Sequence, residues 1–276
     1  MPLIILSSNS KEEEKEIAKK LLQVKGYGGV DPGILSEVEA KYHIDTGKLA
    51  ETLEQTPSFF EKMMSGKWQY RLACIEAEVI ERLMKDNTVC WGLAAHLYVV
   101  GISHALKVRI IHANQTRIEN IVEQQGIPVQ RAQKWLDTEN QRRKKWSLAA
   151  FNRDETDPSE YDLVINLDQI DLNEAVLTIN GAASYRKFQP ITYSMKSLSD
   201  LALSAKVRTT LLKSMQDIRV QTIDGTVLVF TKAFKQKKIE KIKEIKDLAG
   251  KIEGVRGVEV HVTNNLFGDI SGNANS

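Results

Sequence analysis

Four short apolar runs, Leu3–Leu6, Val89–Gly92, Val108–His112 and Leu163–Asn166, constrain what this chain can fold into more than any other feature. Each is continuous rather than alternating, the pattern of a strand covered on both faces, and helical patterns lie between them. Together they predict an α/β fold, a doubly wound layer around a parallel sheet. The gap between the first two runs is too long for one crossover helix and carries helical patterns at Ile34–Tyr42, Lys48–Leu53 and Tyr70–Lys85, so helices are inserted there. A second excursion, Thr116 to Tyr161, reads as polar helices over Thr116–Gln125, Pro128–Asp137 and Glu139–Phe151. It contains the basic run Arg142-Arg143-Lys144-Lys145 and is expected to act as a lid.

The helical signal of Leu172–Ile179 ends near Asn180-Gly181, and Ala182–Ser197 has no clear period and includes Pro190. We therefore expect a first domain over 1–180, a linker over 181–197, a small α+β domain over 198–265 and a flexible tail over 266–276. In the small domain an amphipathic helix, Ser199–Ser214, precedes alternating runs around Asp224-Gly225. Asp-Gly in that setting predicts a type I′ hairpin, because both central residues need positive φ. A lysine-rich helix over Lys235–Lys251 and a strand at Val258–Val262 complete the order helix, strand, strand, helix, strand.

A chain of 276 residues has room for two cores, and 42% hydrophobic with 27% charged residues is ordinary for a globular protein. No apolar run is long enough to span a bilayer, and the short N-terminal run lacks the basic start and cleavage site of a signal peptide. A cytoplasmic protein, not integral to the membrane, is the expectation. Cys74 and Cys90 lack metal-ligand spacing and are read as reduced core thiols, with no metal site. His96 and His112 are read as satisfied structural histidines, and Trp68, Trp91, Trp135 and Trp146 as packing residues. No alternation of aromatic and basic residues argues for nucleic acid.

The junction after the first strand, Ser7-Ser8-Asn9-Ser10-Lys11-Glu12-Glu13-Glu14-Lys15, contains no glycine. A loop that cradles phosphate needs glycines so that backbone N–H groups converge on the anion. Here three successive glutamates stand in its place. Ser10 followed by Glu13 has the capping-box pattern, which predicts a helix starting early, at Ser10, with the glutamates as favourable charges in its first turn.

Several segments resemble the cytidylate kinase-like family of P-loop nucleoside monophosphate kinases. They are Val30-Asp31 with Ile34-Leu35, Pro57-Ser58-Phe59, Leu106–Ile110, Arg117-Ile118-Glu119, Arg143 with Trp146, and Asp157–Asn166. The resemblance covers residues 1–180 and implies a central parallel sheet, an insertion that binds the monophosphate and a lid that carries arginines to the transferring phosphoryl group. It marks Lys11, Asp31, Arg109, Arg117, Arg143 and Asn166 as candidates for contact with nucleotide or phosphate. For Asp31 a turn before Pro32 is an equally natural role. The chain departs from the family pattern where Lys11-Glu12-Glu13-Glu14 replaces the Gly-Ser-Gly-Gly-type loop, where Leu93 follows Gly92 in place of an arginine, and where Asn140 replaces an acidic lid residue.

Residues 198–262 resemble a BON domain, a module associated with phospholipid surfaces or protein partners, on Ile218, Asp224-Gly225, Val227, Val229 and Gly254–Val258. Thr231 stands where that family has a glycine. The functional expectation is a kinase-derived, non-catalytic regulatory protein that binds a nucleotide or a partner, with the BON-like module contacting a protein or an anionic surface. The alternative is an active CMP kinase using ATP and Mg²⁺, and a third reading is a scaffold whose BON-like module alone binds.

Overall fold

The computed structural model describes residues 2–24, 26–57, 66–85, 87–233 and 235–263. Five strands, β1 (Leu3–Ser8), β2 (Gly28–Val30), β3 (Thr88–Cys90), β4 (Ala105–Ile111) and β5 (Leu163–Asn166), form one sheet in the order β2-β3-β1-β4-β5. Every pairing is parallel. The four apolar runs therefore became β1, β3, β4 and β5, as expected, and the fold is α/β. Strand β2 escaped the sequence reading because Gly28-Gly29-Val30 has no apolar run. Gly29 is closely packed there, since a Cβ would stand 3.2 Å from both the Leu22 side chain and the Trp91 ring.

The alternation along β1 explains why both faces of the sheet are covered. Ile4 and Leu6 join Ile17, Ala18 and Leu21 of α1 (Lys11–Gln23) and Ala175, Ile179 and Ala183 of α7 (Leu172–Ala183) in one cluster. Leu3 and Ile5 join the opposite cluster, built from the insertion helices α2 (Ile34–Tyr42), α3 (Thr46–Glu54) and α4 (Lys67–Leu83). The expected second excursion is α5 (Asn114–Gln125) followed by one long helix, α6 (Val129–Phe151), where two helices were anticipated. No glycine or proline interrupts 129–151, and the Thr138 hydroxyl bonds back to Lys134 O at 2.8 Å instead of breaking the helix.

The C-terminal elements are α8 (Thr192–Leu212), β6 (Arg219–Ile223), β7 (Thr226–Lys232), α9 (Lys238–Ala249) and β8 (Gly257–Thr263). Strand β7 pairs antiparallel with β6 and parallel with β8. Asp224 and Gly225 both have positive φ, as the hairpin reading required, and the Asp200 carboxylate accepts both of their N–H groups at 2.9 and 3.0 Å. Helix α8 begins at Thr192 rather than Ser199, because the Ser194 hydroxyl accepts the Ile191 N–H and Pro190 precedes it. The tail expected over 266–276, and Ser58-Phe59 of the resemblance, fall outside the described residues.

Helix α8 packs into two cores. Leu198 and Ala205 belong to the cluster on the α2–α4 side of the five-stranded sheet, whereas Val207, Leu211 and Leu212 belong to the cluster beneath the three-stranded sheet. Two polar ties fix its register on α4: Thr209 Oγ1 donates to Ala73 O at 3.1 Å, and Arg208 pairs with Glu76 at 2.6 Å. Glu76 is 13% exposed and Arg208 22%, so losing one partner strands a largely desolvated charge. Arg208→Met is expected to lower the stability of the chain by about 3 kcal/mol, measured by urea denaturation, against less than about 1 kcal/mol for an exposed pair.

Candidate functional site

The carboxyl ends of β1, β3, β4 and β5 meet above the sheet, where ligands bind in open α/β folds. Only Asn9 and Ser10 separate β1 from α1. The helix thus starts early, as the sequence predicted, but the Ser10 side chain makes no capping bond. Its N–H is instead held by Ser8 Oγ at 2.9 Å, so the expected capping box does not form. Glu12, Glu13 and Glu14 occupy the first turn, where the helix dipole favours negative charge.

Glu14 is 5% exposed. One of its carboxylate oxygens accepts the N–H of Gly92 at 3.3 Å, from the turn after β3, where Gly92 adopts φ +70°. Burial pushes the Glu14 carboxyl up to about 7; the Gly92 bond and the charges of Arg109, Lys11 and Arg143 pull against that shift. Near neutral pH this side chain is divided between its charged and uncharged forms.

Arg109 and Ser7 are register partners on β4 and β1. That places the guanidinium against Ser7 Oγ at 2.6 Å and over the Tyr161 ring at 5.7 Å. The Tyr161 hydroxyl lies 3.3 Å from Ser7 Oγ and donates to Glu155 O at 2.7 Å. His96, fully buried in a one-turn helix after β3, packs its ring 5.1 Å from that of Tyr161. Neither of its nitrogens has a hydrogen-bond partner, which corrects its reading as a satisfied histidine. Burial, reinforced by the charges of Arg109, Arg143 and Lys107, holds it well below the usual histidine range and therefore neutral.

The basic face of α6 is already engaged. Arg143 forks onto Glu155 at 2.6 and 2.7 Å, donates to Leu53 O at 2.8 Å and lies 4.6 Å over the Trp146 ring. Arg142 pairs with Glu139 and Glu54 at 2.7 and 2.9 Å. The fully buried Trp146 donates its indole N–H to Thr52 O at 2.8 Å. The lid is thereby fastened to the end of α3.

The remaining sequence candidates are spread around this centre. Lys11 is exposed and pairs with Glu54 at 2.6 Å. Asp31 is exposed and accepts the Gly33 N–H at 2.8 Å, the turn role that Pro32 suggested. Asn166 ends β5 and accepts the Asp168 N–H at 3.1 Å. Arg117 on α5 is half-buried and donates to Asn140 Oδ1 at 3.0 Å. Burial first, and then the neighbouring Arg109 charge, lowers its pKa. His112 is held by Asp168 at 2.7 Å with Glu13 at 3.5 Å on its other side. Sequence reasoning missed Glu54, Glu155, Tyr161 and Asp168 as members of this network, and it read Glu14 only as a helix-start charge. The isolated acids of Asn152–Asp157 gave no periodic signal, whereas Tyr161 lay in a segment already singled out.

The sequence model of the cytidylate kinase-like family matches residues 7–169, more than half of the 276-residue chain. This chain belongs to the cytidylate kinase-like family. No curated protein sequence matches it. Solved structures similar to this family member include an uncharacterized protein from Eubacterium ventriosum ATCC 27560, at 16% identity and TM-score 0.45 over 67% of this chain and 99% of that one. A shikimate kinase from Bacteroides thetaiotaomicron aligns at 13% identity and TM-score 0.41, again over 67% and 99%. A dephospho-CoA kinase from Campylobacter jejuni aligns at 11% identity and TM-score 0.33 over 66% and 97%.

Folding raises the Glu14 carboxyl above its ordinary value, so its favourable contribution is complete at acidic pH and is lost as the pH rises through about 7. Relative to Glu14→Gln, the native chain should lose up to about 3 kcal/mol of stability between about pH 5 and about pH 8, measured by paired denaturation curves. A constant difference across that range would show that Glu14 does not titrate there.

Proposed function

We propose that this member of the cytidylate kinase-like family is a regulatory protein that binds a nucleotide or a partner without transferring a phosphoryl group. The buried Glu14 carboxylate on the Gly92 N–H carries this reading. Phosphoryl transfer depends on positioning and on neutralising charge, and a triphosphate entering here would meet a carboxylate in a partly desolvated site. The residues present do not fit ATP with Mg²⁺. The junction has no glycine to bring backbone N–H groups onto phosphate, Lys11 is turned to Glu54, and the lid arginines are spent on Glu54, Glu139 and Glu155. The alternative, an active CMP kinase using ATP, is favoured by one observation: among the described residues, Arg109 and Arg117 donate hydrogen bonds only to neutral partners.

The C-terminal unit, in this reading, is a BON-like module facing a protein or an anionic surface. Its helix–strand–strand–helix–strand order supports the likeness, and α9 exposes Ile239 at 83% beside lysines that attract acidic headgroups.

A coupled assay with ATP, Mg²⁺ and a panel of nucleoside monophosphates should find no turnover above background. Turnover at an ordinary kinase's per-second rate would sink the non-catalytic reading. For the C-terminal module, co-flotation with phosphatidylserine vesicles at low salt, lost at high salt, is expected, and equal flotation with uncharged vesicles would contradict a charge-based contact.

A further inference from the structure

We propose that β8 is the seam of a symmetric dimer, in which the Gly257–Thr263 strand of one chain pairs antiparallel with the same strand of a second copy, centred on Val260. This inference goes beyond the function given above and does not rest on it. Strand β8 is an edge of the three-stranded sheet, and among the described residues β7 is the one strand that pairs with it. Their register runs unbroken from Thr226 with Gly257 to Lys232 with Thr263, so no bulge turns the edge away. It holds seven residues, whereas β2 and β5, the edges of the other sheet, hold three and four. Long edges are ordinarily blocked by lysine, proline, a bulge or a covering segment. Neither lysine nor proline occurs in 257–263.

The backbone phase of β8 suits this pairing. Thr263 O accepts the Ala233 N–H at 3.4 Å, so Thr263 turns its backbone groups toward β7. That direction alternates along a strand, which turns the N–H and C=O of Val258, Val260 and Val262 to the open edge. A two-fold axis through Val260 lets it exchange both bonds with the partner's Val260, and lets Val258 do the same with the partner's Val262. In that register Glu259 falls opposite the partner's His261, at the non-hydrogen-bonded positions where facing side chains stand closest. Moving the axis one residue toward either end sets Glu259 against its own copy or His261 against its own copy. Complementarity between acid and imidazole therefore selects Val260 as the centre. Both side chains are free to receive a partner: Glu259 is 62% exposed and His261 53%, and the His261 ring stacks on Phe230 at 5.0 Å. Val258 and Val260 pack on the small core yet stay half-exposed, so pairing also completes their burial.

The test is sedimentation velocity of the full chain from about 1 to about 500 μM. Edge pairing covers less surface than a permanent interface, so we expect a reversible dimer whose dissociation constant falls within that range. His261→Glu sets carboxylate against carboxylate and should weaken association at least about tenfold. The double variant Glu259→His with His261→Glu exchanges the two roles and should recover most of that loss. Val260→Pro removes the central N–H and should leave a monomer; proline is tolerated on an edge whose N–H faces solvent. Circular dichroism checks that each variant folds. Amide exchange in the native chain needs no variant: Val258, Val260 and Val262 should gain protection as concentration rises. A chain that stays monomeric throughout the range overturns the proposal, whatever strand another protein adds to the same edge. So does a dimer indifferent to both Val260→Pro and His261→Glu, or a folded double variant that associates no better than His261→Glu.

Discussion

The rest of the cleft depends on one short-range constraint, the contact between the Glu14 carboxylate and the backbone N–H of Gly92. A two-residue junction after β1 brings α1 into register so that its first turn faces the carboxyl ends of the sheet. Glu14 is the residue of that turn that points inward, and its neighbours Glu12 and Lys15 stay in solvent. Burying a carboxylate is costly unless it is bonded and faces positive charge. Here the Gly92 N–H supplies the bond, and Arg109, Lys11 and Arg143 supply the field. The residual cost appears as a carboxyl that titrates near neutrality instead of in the ordinary acidic range.

The lid follows the same principle of internal neutralisation. Arg143 has all three guanidinium nitrogens engaged, by Glu155 and by Leu53 O, and its flat face covers Trp146. Arg142 and Lys11 converge on Glu54 from two different elements. A lid that delivered arginines to an incoming phosphate would first have to break these bonds. Arg109 and Arg117 differ because, among the described residues, their hydrogen-bond partners are the neutral Ser7 hydroxyl and Asn140 amide.

Much of the architecture was legible in the sequence. Continuous apolar runs located four of the five strands, Asp224-Gly225 located the hairpin, and the Glu-rich junction located an early helix start. What was not legible depends on contacts between distant segments. Strand β2 opens on two glycines, of which Gly29 packs against Trp91, so it has no hydrophobic pattern of its own. The early start of α8 rests on Ser194, and the continuity of α6 hides behind a polar sequence that reads as two pieces. Lys11, Asp31, Arg109, Arg117, Arg143 and Asn166 lie around the cleft, but their roles turn on partners such as Glu54, Glu155 and Tyr161, more than a helix turn away in sequence. The Glu14 side chain was the hardest to foresee, because helix-start chemistry explains an acid at that position without requiring it to be buried.

The central claim is that a carboxylate of the chain itself fills the place of a phosphate-binding loop, and its most direct test is the titration of that carboxylate. Site-resolved ¹³C NMR of the side-chain carboxyl of Glu14, assigned by comparison with Glu14→Gln, reports its ionisation without reference to activity or stability. A midpoint near about 7 is predicted. A midpoint in the ordinary range of exposed glutamates, about 4.3, would contradict the account.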